Sequence, residues 1–190
     1  KSFSLTIYFP YKYFIHNVHE IMNMLKLHEK KQTIRSTFPY EYTSTISLHF
    51  RIGDYISLQD FHPLLNYKYY VDAIKKIIEL SETKTWNVLY FYESNDIDIV
   101  NEMIGNIVME LDELEISFTS IDTNMLDWEQ LLCMSLCKHK IIANSSYSLM
   151  SAHIACDSEQ IVTYPSKWFG VKIPHNTCDM FREEWIKINI

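Results

Sequence analysis

The sequence predicts an α/β protein built as a doubly wound parallel sheet, and three observations carry that expectation. First, β-prone runs alternate with segments of helical apolar spacing along most of the chain. Second, Trp86-Asn87-Val88-Leu89-Tyr90-Phe91-Tyr92 is a near-continuous β-prone run, the pattern of a strand covered on both faces. Third, Ser44-Thr45-Ile46-Ser47-Leu48-His49-Phe50 passes directly into the charged turn Arg51-Ile52-Gly53-Asp54-Tyr55. Apolar Ile46, Leu48 and Phe50 alternate there with Thr45, Ser47, His49 and Arg51, so a period of two sends the polar set to one face. Gly53 breaks the run, and in an open α/β sheet the loop past a strand's carboxyl end is where ligands bind. A guanidinium at that edge offers a fixed fork of donors to a phosphate.

The remaining elements follow in order. Leu5 to Phe9 is a short apolar stretch, and Pro10 sits in a turn or at the first position of the next helix. Phe14, Val18, Ile21, Met22 and Leu25 repeat at helical spacing on a helix expected to end near Glu29-Lys30-Lys31. Of the three histidines on it, His16, His19 and His28, the first two are three apart and lack a third close carboxylate or thiol partner, so they read as solvated or packed rather than metal-binding. Gln32 to Thr43 reads as a linker and Gln59 to Asn66 as a loop. Tyr67, Tyr70, Val71, Ile74, Ile77 and Ile78 form a helical stripe that packs on the sheet. After Trp86–Tyr92, Glu93-Ser94-Asn95-Asp96 opens a helix carrying Ile97, Val100, Ile104 and Val108. Ile116 to Ile121 is the next strand, and Asp127 with Gln130 resembles a capping box ahead of Leu131, Leu132, Met134 and Leu136. Ile141-Ile142-Ala143 is a short strand running into Asn144-Ser145-Ser146 and a helix. Gln160 to Tyr164 is a further strand, and Trp168 to Ile190 reads as a loop with a short closing helix.

Composition narrows the function classes. A chain of 190 residues suits one well-buried core, and 47% hydrophobic with 22% charged residues argues against disorder. A net charge of −7 with no basic run disfavours a nucleic-acid partner, because such binding rests on clustered Lys and Arg. No apolar run approaches the roughly 20 residues of a membrane span, and no signal-peptide pattern is seen, which favours a cytoplasmic setting. An upstream membrane anchor stays open, because Lys1 is not a start methionine. Cys133, Cys137, Cys156 and Cys178 include no Cys-x-x-Cys pair and read as reduced, packed thiols, with zinc or a disulfide as alternatives.

Taken together, the motifs resemble one family. His49-Phe50-Arg51-Ile52-Gly53-Asp54-Tyr55 is similar to the His-x-Arg-Arg-Gly-Asp-Tyr motif of the α-1,2-fucosyltransferases, glycosyltransferase family eleven. His62-Pro63-Leu64-Leu65 with Tyr69-Tyr70, and Ser94-Asn95-Asp96, resemble its later segments. The longest likeness runs from Met134 through Ser148, followed by Tyr164-Pro165-Ser166-Lys167-Trp168-Phe169 and Trp185-Ile186, and Lys12-Tyr13-Phe14 fits upstream. Ile52 stands where the family has a second arginine, and Leu149-Met150 where it has a tryptophan pair, a packing change.

The resemblance implies a Rossmann-like donor domain of a GT-B-type enzyme over residues 39–190, with 1–38 as a strand and interdomain helix from the acceptor-side half. It implies metal-independent, inverting transfer of L-fucose from GDP-fucose to a galactose-type hydroxyl on a glycan acceptor, with no cofactor. Arg51 would meet the charge of the departing diphosphate, and His49 would hold nucleotide or diphosphate. Asp54 orders the turn, and an internal Arg51–Asp54 ion pair is the plain alternative for that arginine. Ser94 and Asp96 either cap the helix or touch the nucleotide. Asp122 would read guanine. Asn144, Ser145 and Ser146 either form an ordinary N-cap or hold phosphate at the positive end of a helix dipole. A catalytically incomplete GDP-sugar-binding module is the alternative to the enzyme, and an interaction domain that binds no nucleotide is a third class.

Overall fold

A computed structural model of the chain describes residues 15–82, 85–155, 157–173, 176–177 and 179–190. Leu5 to Pro10, Lys12-Tyr13-Phe14, Cys156 and Cys178 lie outside them. The helices are α1 (Val18–Met24), α2 (Leu27–Thr37), α3 (Tyr67–Leu80), α4 (Ile97–Glu110), α5 (Asp127–Leu136) and α6 (Ser146–His153). The strands are β1 (Thr45–His49), β2 (Trp86–Phe91), β3 (Ile116–Ser120), β4 (His139–Ile141), β5 (Val162–Pro165) and β6 (Ile186–Ile188). All neighbouring strands are parallel, in the order β3-β2-β1-β4-β5-β6. The chain works outward from β1 to β3, then crosses back to β4 beside β1 and works outward again. That reversal is the switch point of a doubly wound sheet, where diverging loops leave a crevice at the carboxyl ends of β1 and β4.

Both faces of β1 are buried. Ile46, Leu48 and Phe50 pack under α3 with Tyr70, Ile74 and Val88. Thr45, Ser47 and His49 face the other layer and are buried as well. Asn66 caps α3, its Oδ1 accepting from the Tyr69 N–H at 3.3 Å. Helices α2, α5 and α6 cover the second face, with Leu27 and Ile34 in one cluster with Leu132 and Cys133.

Several expected elements are corrected. The first helix breaks at Lys26, which adopts a left-handed φ of 52°, and Ile21 and Leu25 are exposed. The second piece, α2, continues through Thr37 across residues expected as a linker. Its inner face is Leu27, Lys31 and Ile34, an amphipathic spacing with a lysine in the middle. Lys31 is 6% exposed, and its Nζ donates to the Ile154 carbonyl at 2.6 Å, at the negative end of α6. Helix α4 is turned from the expected face: Val100 and Ile107 are buried, Ile97 and Val108 exposed. In α5 the capping role falls to Glu129, whose carboxylate accepts from the Leu126 N–H at 2.9 Å, in place of Asp127 with Gln130. The closing segment contains β6, paired with β5, where a short helix was expected. No helix among the described residues is long and apolar enough to cross a membrane.

Candidate functional site

A cavity of about 680 Å³ opens at the switch point. The β1 turn contributes His49, Arg51 and Tyr55, and the end of β2 contributes Phe91 through Asn95. The α5 side adds Thr123, Asp127 and Gln130, and the start of α6 adds Ser145, Ser146 and Tyr147. Arg51 and the mouth of α6, more than ninety positions apart in the chain, therefore face one space because β1 and β4 are neighbours.

Arg51 donates to Asp54 Oδ1 at 2.6 Å and to Glu93, and its guanidinium lies 5.1 Å from the centre of the Tyr55 ring. The ion pair weighed as the plain alternative is thus present, with a second acid added, while Arg51 still lines the cavity. Gly53 takes a left-handed φ of 34°, and its N–H meets both carboxylate oxygens of Asp96, at 3.1 and 3.2 Å. Buried Asp96 thereby fastens the arginine turn from behind; it stands at the N-cap position of α4 but makes no side-chain capping bond there, and it does not line the cavity. Ile52 is 2% exposed and belongs to the core with Phe50 and Tyr70, so it offers no contact to the cavity.

His49 is 7% exposed, with its ring 5.5 Å from that of Tyr147. Burial, and then the Arg51 charge, lowers its pKa to about 3, so the imidazole is neutral at physiological pH. Its Nδ1 is buried without a hydrogen-bond partner. Ser145 caps α6, its Oγ accepting from the Tyr147 N–H at 3.3 Å, and Ser146 is exposed at the helix's first position. Asn144 is turned away from the cavity: its Nδ2 donates to Pro63 O at 2.9 Å and Trp168 O at 3.3 Å. Asp122 stands exposed outside the lining, its Oδ1 accepting from the Asn124 backbone and side-chain N–H groups at 2.9 Å each.

Of the predicted residues, His49, Arg51, Ser94, Ser145 and Ser146 line the cavity. Asp54, Asp96 and Asn144 support it, and Asp122 lies beyond its edge. Glu93, Tyr55, Asp127, Gln130 and Tyr147 also line it and were not assigned to it from sequence. Glu93 ends the same strand as Ser94, and Tyr147 follows the serine pair directly, so strand-end position was the available signal. Among the described residues no group of three His, Cys, Asp or Glu side chains is placed to hold a metal ion. Cys133 and Cys137 are buried free thiols, both with pKa raised chiefly by burial, Cys133 to about 11.

The sequence profile of glycosyl transferase family 11 matches residues 4–189. The chain belongs to that family. An α-1,2-colitosyltransferase of Escherichia coli is 30% identical to this family 11 chain over 149 residues, covering 77% of the chain and 48% of that protein. The O-antigen biosynthesis glycosyltransferase WbnK of Escherichia coli is 30% identical over 153 residues, 78% of the chain and 46% of the relative. The family 11 chain thus spans just under half the length of both relatives. A family 9 glycosyl transferase from Veillonella parvula aligns in structure with a TM-score of 0.48 and 11% identity, over 86% of this chain and 41% of that one.

Proposed function

We propose that this chain is the donor-binding half of a GT-B-type glycosyltransferase that moves L-fucose from GDP-fucose to a galactose-type hydroxyl with inversion. What carries the reading is that the Arg51 guanidinium and the serine-capped mouth of α6 line one cavity at the switch point, a setting for two linked phosphates. Family 11 membership supports glycosyl transfer. As the bond to the diphosphate lengthens, negative charge grows on the bridging oxygen, and Arg51 with the α6 dipole stabilises it without a metal. Neutral His49 contributes hydrogen bonding rather than charge, and its Nδ1 is a buried ring nitrogen without a partner at the edge of the cavity. Guanine reading by Asp122 requires that carboxylate to leave Asn124, whereas Asp127 and Gln130 already line the cavity. The name of one relative favours a second reading of the sugar, a colitosyl donor.

Titration calorimetry with GDP and ADP tests the nucleotide, and release of GDP from GDP-fucose with lactose separates enzyme from binding module. GDP is expected to bind and to raise the melting temperature by linkage. In an active form of the protein, Arg51→Ala is expected to cut transfer by roughly 10²-fold, the scale for losing one preorganised donor. Near-normal turnover in that variant removes Arg51 from the mechanism.

A further inference from the structure

We infer that Glu93 is a built-in competitor for the donor site: it holds Arg51 in the unliganded protein and must be displaced by the ligand's diphosphate. The inference rests on the donor-site reading above. Arg51 bonds to Glu93 through one Nη and to Asp54 through the other, so both arms of its fork are already engaged by carboxylates. Glu93 and Asp127 both line the cavity, and among the described residues of that lining Arg51 is the one cation, since His49 is held neutral. A diphosphate entering this space meets a surplus of negative charge unless one carboxylate leaves.

Glu93 is the carboxylate free to go. Its side chain is 60% exposed against 25% for Arg51, so it regains water readily on release. Asp54 is only three residues from Arg51, on the same turn, and remains a tether. Glu93, Arg51 and Asp96 meet around Gly53: a Cβ placed there would lie in ordinary contact with all three, 3.6 Å from Glu93 Oε2 and 3.9 Å from both Arg51 Nη1 and Asp96 Oδ2. The turn is anchored through Asp96, so Glu93 can swing away while the backbone under Arg51 stays in place. Binding then exchanges one charge-assisted bond of Arg51 for another, and the affinity for a departing nucleoside diphosphate is held down by the returning carboxylate.

Calorimetry on wild type, Glu93→Gln, Arg51→Ala and the double variant, with GDP and with guanosine, tests this. Glu93→Gln keeps the shape and removes the charge, and is expected to tighten GDP about tenfold while leaving guanosine unchanged. In the Arg51→Ala background the same substitution is expected to change GDP affinity no more than about twofold. Glu93→Ala provides the same reading should the glutamine itself bond to Arg51. Weaker GDP binding in Glu93→Gln would mean that Glu93 positions Arg51 for the ligand, and equal tightening with and without Arg51 would mean plain repulsion; either overturns the inference. If GDP depends on Arg51 but ignores Glu93, the inference alone falls. If no form binds GDP, the donor-site reading falls and takes the inference with it.

Discussion

The side-chain amide of Asn144 donates to carbonyls of two loops far apart in sequence, at Pro63 and Trp168, while its backbone carbonyl accepts from the Tyr55 hydroxyl at 3.0 Å. Tyr55 in turn stacks on His62, ring centres 4.8 Å apart, and lies beneath Arg51. One buried amide thus links the arginine turn, the His-Pro loop and the start of α6. Asn144→Ala strands two carbonyls and is expected to cost about 1–3 kcal/mol in urea unfolding. Asn144→Asp is isosteric but aims a carboxylate at both carbonyls, so it is expected to cost at least as much; a neutral result would show that donation is not what Asn144 supplies. From the sequence, Asn144 beside a serine pair reads equally as a cap or a ligand contact, and the distant carbonyls that decide its role become its neighbours only after folding.

Among the connecting elements, the loop at 59–61 is held against the segment 168–172. The Gly170 N–H donates to Phe61 O at 2.8 Å and the Lys172 N–H to Asp60 O at 2.9 Å. A Cβ on Gly170 would overlap Asp60 O and sit 2.7 Å from Gln59 O, both backbone atoms with no side-chain freedom to yield. Gly170→Ala is therefore expected to destabilise by about 1–3 kcal/mol. Gly105, inside α4, is the internal contrast, because a methyl group added there would meet nothing within 4 Å. Gly105→Ala is expected to stabilise by about 0.5–1 kcal/mol through helix propensity, and thermal melts that rank the two variants alike would refute the close approach. Helix α2 shows a related effect of distant partners. Its buried face is legible only once Lys31 is known to end at the α6 carbonyls, and Lys140 does the same for α5, its Nζ 2.7 Å from Cys137 O.

Across the molecule, His49, His139 and His153 are buried in the neutral form. Burial is the first cause in each, lowering the pKa to about 3 for His49 and about 4 for His139 and His153. Unfolded imidazoles titrate near 6.5, so below that pH the unfolded chain binds more protons than the folded one. The contribution is fully present above about pH 6.5 and is lost as pH falls toward 4, by up to about 1.4 kcal/mol per histidine per pH unit. Urea midpoints are expected to drop clearly between about pH 7 and pH 5, and a flat profile over that interval would contradict neutral burial of the three rings.

The parallel α/β class, the polar strand running into the arginine turn and the serine-opened helix were all legible in the bare chain, because they depend on local periodicity and on residues adjacent in sequence. Folding in three dimensions was needed to show that Glu93 and Asp54 share Arg51, that Asn144 faces inward, that Asp122 stands outside the cavity, that the first helix breaks at Lys26 and resumes through Thr37, and that β6 exists. Most of those outcomes hang on a partner dozens of residues away, brought close by the order of strands across the sheet, and no local pattern encodes that proximity.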